Sequence, residues 1–549
     1  MAREVRGGET APVLESNLTA AGNAARIVEL FEKFDQPGSP GATVAIALDG
    51  EVVESHSFGE ASLEHAVPNA RDTVFYIAST SKQFVGCAAA LLEADGLIDL
   101  DDEVVQYIPE LHRFDPPVRI RHLLHHTSGL RDKYGLAAVG RLPEAAISTD
   151  VGSLQLLARQ RTLNFEPGSR FMYSNSNYFL LAQLVERVSG MPFSAFAAQR
   201  IFEPLGMSDT RFRPDTSVVI PRRASGYRRG QDGQWHVAEY TWNSLGPGGV
   251  VTTVDDLATW STTFFANRLA PTDLAARLLR TEPLTDGTTN NYALGVTVDP
   301  FGGVPTVSHG GGVPGFGAEM MTFPDRRLSV ICLANTPWVG AQARARQIAT
   351  LYLGEAVEPV APRPEQTPGE DVDAGRFVGT YLAQDETGVY RIAVEGDSLV
   401  LRAGSQSFPL TVVRESLLCA AGGTDLELVL EGAVLLLRAP GGSGEIRCQR
   451  LETIDASTVT KASLHDYVGT YHSAEIGATV VVRVDGEDLV AQWPWTPAGI
   501  LTPIGRDLFL VGVEEEEIPL RFERDESGVA VTMRISIGRA LGNRFERSG

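Results

Sequence analysis

Cysteine is scarce in this chain. Cys87, Cys332, Cys419 and Cys448 are the only four in 549 residues, and no two stand at C-x-x-C spacing. Neither a zinc framework nor a disulfide framework is signalled, and a reducing compartment is the simpler expectation. Apolar runs of about 18 residues, the length a helix needs to cross a bilayer, are also missing. The opening "MAREVRGGETAPVLESNLTA" lacks the apolar stretch of a secretory leader, so the expected location is the cytoplasm, with no membrane partner. Positive charge is in deficit, with 47 basic against 69 acidic side chains and a formal net charge of −22. Such a surface repels nucleic acid and mildly favours cationic or neutral small partners. A G-x-S-x-G elbow is absent, which argues against an α/β-hydrolase.

What is present is ordinary globular material, 43% apolar and 21% charged, in a chain too long for one core. "NAARIVELFEKF" (23–34) has helical apolar spacing, and "ATVAIALDGEVVESHSFG" predicts two strands about Asp49-Gly50, a type I′ turn pair. Near residue 310, "TVSHGGGVPGFGAEMMTFPDRRLSVICLAN" predicts strand, turn and strand, and "QARARQIATLYLG" a closing helix. Terminal strands and helices around a helical middle predict one α/β domain on an antiparallel sheet, with an inserted all-helical lobe. The catalytic domain is placed at 1–355 and a proline-rich linker at 356–373. Beyond it, "FVGTYLAQDETGVYRIAVEGDSLVL" from Phe377 aligns without gaps on "YVGTYHSAEIGATVVVRVDGEDLVA" from Tyr467. This duplication predicts two small antiparallel β-barrel-like domains, 374–455 and 464–549, parted by the polar tract "DASTVTKAS".

Three short motifs could carry chemistry. In "FYIASTSKQF" the hydroxyl of Ser79 and the amine of Lys82 lie three residues apart, so on a helix they share a face. At a helix N-terminus the Ser79 N–H would be an oxyanion donor, and burial beside "FVGCAAALL" would push the lysine toward its neutral, basic form. An exposed N-cap serine before a solvated lysine has the same letters, so S-x-x-K alone does not decide. Tyr173 and Asn175 in "MYSNSNYF" offer a phenol for proton transfer and a carboxamide for a substrate carbonyl, although a core tyrosine beside a capping asparagine reads the same. In "VSHGGGVPG", His309 is followed by Gly310, Gly311 and Gly312, which would let another backbone approach, with the Gly312 N–H as a second oxyanion donor.

Two decoys fall away. "GGGVPG" fits G-x-G-x-x-G, but Pro314 and a predicted strand follow where a dinucleotide site needs a helix. His122, His125 and His126 have no acidic or cysteine partner at ligand spacing, so no metal is expected.

S-x-x-K, then Y-x-N, then H-x-G in that order resemble the penicillin-recognising serine hydrolases, among them class C β-lactamases, D,D-carboxypeptidases, esterases and D-aminopeptidases. "IRHLLHHTSGL", "FEPGSRFMYSNSNY", "IFEPLGMSDT" and "LGPGGVVTTVDDLATW" resemble further segments of that family, so the likeness runs roughly from residue 20 to 353. His309 stands where β-lactamases usually carry a lysine that holds a substrate carboxylate. A mostly neutral imidazole would hold one poorly. H-x-G with two appended barrels most resembles the bacterial D-aminopeptidases of the family.

The resemblance implies a β-lactamase-like domain and an acyl-enzyme mechanism without cofactor or metal. Ser79 is the implied nucleophile, Lys82 with Tyr173 the base and later the acid, and Asn175 the holder of the acyl group. His309 and Gly311 would line the pocket, and the N–H groups of Ser79 and Gly312 would bind the oxyanion. The implied substrate is a short peptide, amide or ester with a free N-terminal residue of D configuration. A loop of the last domain, "HSAEIGA" or "QWPWTPAG", would reach the site. A carboxylesterase, an amidase or a weak β-lactamase would use the same machinery, and a non-catalytic sensor is the remote alternative. A homodimer is the expected assembly.

Overall fold

The computed structural model describes residues 21–143, 146–230, 232–238, 244–266, 268–357, 374–396, 398–404, 406–414, 416–420, 426–438, 445–451, 464–494, 496–513 and 516–548. The expected linker from 358 on and the polar tract near 460 lie outside the described residues. Packing divides the chain into two compact units. The first takes Met1–Gly129, Ser148–Ser153 and Phe165–Val360, and the second takes Leu130–Ile147, Leu154–Asn164 and Ala361–Gly549.

The first unit is built on a six-stranded antiparallel sheet. Its strands are β1 (Ala42–Leu48), β2 (Glu51–Phe58), β3 (Thr297–Val298), β4 (Val307–Val313), β5 (Phe316–Phe323) and β6 (Leu328–Ala334), in the order β3-β4-β5-β6-β1-β2. Asp49 and Gly50 join β1 to β2 with φ of 55° and 84°, the left-handed pair that a type I′ turn demands. Helices α1 (Ala21–Phe31), α2 (Lys82–Ala94), α3 (Asn175–Ser189) and α4 (Ala341–Leu353) matter most for the site. Ile27 and Phe31 of α1 and Ile348 and Tyr352 of α4 pack with Val44, Ile46, Met321, Phe323 and Val330 on one face of the sheet. Because strands inside such a layered sheet are covered on both faces, β6 reads as the unbroken apolar run "LSVICLA", buried throughout.

Helix α2 is buried from Lys82 to Leu92. Its mid-helix Gly86 is there for closeness, since a Cβ would come within 2.1 Å of the Leu294 carbonyl. The middle of the chain is not all-helical as expected. Phe75–Tyr76, Val250–Thr252 and Arg211–Phe212 form a three-stranded sheet, and Tyr227–Arg229 pairs with Trp235–Val237. Strands of two or three residues are too short for the period-two signal to stand out in sequence.

In the second unit, eight strands from Gly379–Ala383 to Glu445–Arg450 close into one antiparallel barrel, and eight from Gly469–Ser473 to Ala540–Ser548 close into another. Duplication persists in three dimensions. Tyr381 donates to the Phe377 carbonyl at 2.7 Å, and its counterpart Tyr471 donates to the Tyr467 carbonyl at 2.8 Å. Leu382 and Val389 of one barrel pack with Leu508 and Leu510 of the other.

The second barrel also holds two segments drawn from the middle of the chain. Arg131, 5% exposed, donates to the Leu541 carbonyl at 2.9 Å, the Thr162 carbonyl at 2.7 Å and the Glu475 carboxylate at 3.1 Å. Asn164 clasps the backbone both ways, donating to the Arg539 carbonyl at 3.0 Å and accepting from the Leu541 N–H at 3.0 Å. Glu475 belongs to the "HSAEIGA" stretch. In "QWPWTPAG", Trp493 is buried and donates from Nε1 to the Val139 carbonyl at 3.1 Å, while Trp495 lies outside the described residues.

Candidate active site

The strand Phe75–Tyr76 ends in a kink at Ala78, whose φ of 47° is in the left-handed region that alanine rarely adopts. A 3₁₀ turn, Ala78–Ser81, follows, and α2 starts only at Lys82. Ser79 therefore sits in the turn that leads into the helix rather than at the helix N-terminus proper. Neighbouring backbone pins this turn. Ile77 N–H donates to the Val250 carbonyl at 3.1 Å, Val250 N–H donates to Ser81 Oγ at 3.2 Å, and Thr80 Oγ1 donates to the His309 carbonyl at 3.3 Å.

Lys82 is fully buried. Its Nζ lies 3.0 Å from Ser79 Oγ, 3.0 Å from Asn175 Oδ1 and 2.8 Å from the Pro247 carbonyl. The last two atoms can only accept. As an ammonium it donates to all three; in its neutral form the two N–H bonds would go to these acceptors and the lone pair to the Ser79 hydroxyl. Asn175 reaches this point as the first residue of α3, entered through Ser174 in extended backbone. Pro247 reaches it because Gly246 and Gly249 take φ of 108° and 107° and turn the loop carbonyl inward.

The ring of Tyr173 faces the same amine, with Nζ 4.7 Å from its centroid. Behind it stands His126, 4.3 Å away centroid to centroid, and Tyr292 edges both. Nδ1 of His126 accepts from the Ser174 N–H at 3.2 Å and the Asn177 amide at 3.0 Å, which fixes its proton on Nε2. His122 accepts the Arg119 N–H at the start of the helix Ile120–Leu124, and His125 pairs through Nδ1 with the Tyr292 carbonyl at 2.9 Å. All three histidines have such partners within the fold. No group of metal-ligating side chains occurs among the described residues.

His309 is buried, and both its ring nitrogens are engaged within the fold. Nδ1 lies 2.6 Å from the Gly310 carbonyl, which can only accept, so Nδ1 carries the proton. Nε2 must then accept from the Tyr292 phenol at 2.9 Å. Burial first, and the nearby Lys82 second, push this imidazole down to about 3. The phenols of Tyr178 and Tyr292 are pushed well above their ordinary value by the same burial, so both remain donors. His309 thus shapes the wall as a neutral ring and offers no cation to a substrate carboxylate.

The three glycines differ. A Cβ on Gly311 would lie 2.1 Å from the Ile77 carbonyl, so this backbone lies directly on the nucleophile's turn. A Cβ on Gly310 would strike Gln342 and Glu319 on the opposite face of β4. Gly312 has open space where its side chain would be. The structure thus brings Ser79, Lys82, Tyr173 and Asn175 around one amine, and sets His309 and Gly311 on the strand beside them. Sequence reasoning missed the Pro247 carbonyl and Tyr292. The two flanking glycines in "LGPGGVV" were the available signal for the first, and nothing local marked the second.

The Beta-lactamase family matches residues 25–353. The chain belongs to that family. Residues 454–546 match a domain of unknown function, DUF3471. As a beta-lactamase family member with these side chains in place, the protein is an enzyme, a serine hydrolase. It is 28% identical to a D-aminopeptidase of Brucella anthropi over 526 residues, which cover 92% of this chain and 95% of that one. Among solved structures it is similar to the octameric penicillin-binding protein homologue of Pyrococcus abyssi, with a TM-score of 0.57 and 23% identity over 78% of this chain and 99% of that one. The D-amino acid amidase of Ochrobactrum anthropi SV3 also shares the fold, with a TM-score of 0.52 and 22% identity over 60% of this chain and 98% of that one.

Proposed function

We propose that this beta-lactamase family member is a D-aminopeptidase-like serine hydrolase, cleaving short peptides, amides or esters with an unblocked N-terminal D residue through an acyl-enzyme. The observation that carries the mechanism is that Lys82 Nζ meets Ser79 Oγ, Asn175 Oδ1 and the Pro247 carbonyl together. With Asn175 Oδ1 and the Pro247 carbonyl as acceptors for its N–H bonds, the neutral amine can turn its lone pair to the Ser79 hydroxyl. Only four of the chain's 47 basic side chains are lysine, and this position keeps one, an amine that can lose its proton where a guanidinium cannot.

In the proposed sequence, Lys82 takes the Ser79 proton as Oγ attacks the scissile carbonyl carbon. The N–H groups of Ser79 and Gly312 hold the oxyanion, one such donor being worth about 3 kcal/mol. Asn175 orients the acyl group. As the carbon–nitrogen or carbon–oxygen bond breaks, the proton passes through Lys82 and Tyr173 to the leaving group, and water then releases the acyl chain by the reverse relay.

The neutral, internally bonded His309 supports substrates whose leaving side carries no carboxylate, such as amides and esters. The D-aminopeptidase of Brucella anthropi, aligned over nearly the whole of both chains, supports the amino-terminal and stereochemical part of the reading. For location and assembly the reading is a cytoplasmic homodimer. No helix among the described residues is long and apolar enough to cross a membrane. Sedimentation of the purified chain and cell fractionation test both points.

Mass spectrometry of the protein trapped with a slow substrate tests the mechanism, the expected adduct being on Ser79. A panel of D- and L-aminoacyl anilides beside a simple ester and a chromogenic cephalosporin tests the substrate. Turnover of the cephalosporin alone would sink the aminopeptidase reading.

A further inference from the structure

The beta-lactamase reading leaves the buried carboxyl group of Glu319 unused. Glu319 lies in β5 directly opposite Gly310 of β4 and next to Cys332 of β6. Period-two alternation puts His309 and Gly311 on the face toward the Ser79 turn, and Gly310 with Glu319 on the other, where α4 packs. That second face is otherwise the apolar layer of Met321, Phe323, Val330 and Ile348. A carboxyl group there costs free energy unless it is neutral or paired.

Its position relative to Gly310 is specific. A Cβ at residue 310 would sit 1.9 Å from Gln342 Nε2 and 2.6 Å from Glu319 Oε2. The carboxyl of Glu319 and the carboxamide of Gln342, the first from the neighbouring strand and the second from α4, therefore fill the volume a side chain at 310 would take. They press on the main chain that carries His309 on one side and Gly311 and Gly312 on the other. That same main chain lies on the Ile77 carbonyl with its opposite face, so β4 is gripped from front and back at successive residues.

We propose that Glu319, together with Gln342, is a positioning residue for this site: the pair braces Gly310 from behind and holds the His309–Gly312 backbone against the turn that carries Ser79. The proposal rests on the serine-hydrolase reading above and extends it to side chains that touch no substrate. Burial is the largest influence on the Glu319 carboxyl and pushes it up to about 8, with Arg346 and the Gln342 amide opposing. The other titratable groups on this face are the Cys332 thiol on β6, with Arg344 of α4 acting on it, and Tyr352 of α4, whose phenol donates to Glu54 of β2 beside His56, while α1 presents Ile27 and Phe31. At neutral pH Glu319 is then a carboxylic acid. Its ionisation puts a charge behind β4 and disturbs the grip.

The test measures acylation of Ser79 by mass spectrometry and kcat and KM on a D-aminoacyl anilide, from about pH 6 to about pH 10. Wild type is expected to lose activity in a single ionisation near pH 8. E319Q, neutral at every pH, is expected to keep activity within about threefold below that point and to lack the alkaline fall. E319L, which leaves Gln342 unpartnered, is expected to lower kcat about tenfold or more with KM within about twofold. A wild-type profile flat through pH 8, an alkaline fall that persists unchanged in E319Q, or an E319L kcat equal to wild type would each overturn the proposal. If E319L does not fold, the E319Q profile decides alone. Absence of any Ser79 adduct in wild type would sink the serine-hydrolase reading, whereas a normal adduct with indifferent Glu319 variants would sink only this one.

Discussion

Gly311 lies so close to Ile77 that a methyl group on its Cα would meet the Ile77 carbonyl at 2.1 Å. The contact is backbone on backbone, so no side chain can move aside to relieve it. One residue on, Gly312 meets nothing within 4 Å. Gly311→Ala is therefore expected to push β4 off the Ser79 turn and reduce acylation at least a hundredfold. Gly312→Ala, which keeps its N–H, should stay within about threefold of wild type. Burst-phase acylation of both variants checks the contrast, and equal losses would refute it.

Lys82→Arg retains a cation but removes the group able to accept the serine proton, and it puts a planar guanidinium where a compact amine meets the Asn175 and Pro247 acceptors. Acylation is expected to fall by about 10³-fold or more, the scale of losing a general base together with its geometry. Lys82→Ala should fall as far. A Lys82→Arg variant that still forms the Ser79 adduct at a comparable rate would remove the lysine from the mechanism.

His309 titrates far below its ordinary value of 6.5, at about 3, so it supplies no activity change in the usual histidine range. The sign for stability follows. An unfolded chain binds the imidazole proton as pH falls through 6.5 and the folded chain does not, so stability is lost progressively between 6.5 and about 3. The melting temperature of wild type should therefore drop relative to that of His309→Gln over this window. Parallel curves for the two proteins would count against a neutral His309.

Glu319 runs in the opposite sense. Its folded value is raised from 4.5 to about 8, so the unfolded chain releases the proton first, and the contribution of Glu319 is lost as pH rises through that interval. Glu319→Gln is expected to melt higher than wild type by a margin that widens from about pH 5 to about pH 8. Thermal melts at several pH values read this without any substrate.

Glu475→Ala removes the carboxylate partner of the buried Arg131 while leaving its carbonyl acceptors in place. A cost of about 1–3 kcal/mol is expected, that of a charged hydrogen bond withdrawn from a buried donor. Hydrogen exchange should quicken selectively in residues 130–147 and 154–164, which pack with the last barrel. Uniform quickening over the whole chain would argue that the pair has no local role.

How much of this was legible before the fold is a matter of distance along the chain. Ser79 and Lys82 are three residues apart, and one helical turn is enough to bring them together whatever the rest of the protein does. The Asp49-Gly50 turn and the β5 and β6 strands likewise follow from local patterns, and the barrel repeat from letters that recur between Phe377 and Tyr467 whatever the fold. Tyr292 could not be found this way. It meets His309 by a loop whose path depends on everything packed beneath it, and a tyrosine in "NNYALG" looks like any other. The Pro247 carbonyl belongs to the backbone, which every residue has. Its role exists only because two glycines with positive φ turn it toward an amine 165 residues earlier.

From its own letters the chain settled the longer strands and helices, the barrel repeat, the three motifs and the chemistry their side chains permit, since those depend on local spacing and on the reactivity of the groups, whereas the short strands of the middle did not show. The tertiary structure alone decided which acceptors satisfy Lys82, that His309 is spent on internal hydrogen bonds, and that a carboxyl group braces Gly310 from behind. It also decided that residues 130–147 and 154–164 pack with the last barrel. Burial and hydrogen-bond saturation are properties of a surrounding shell, and a shell forms only when distant stretches of sequence arrive at the same place.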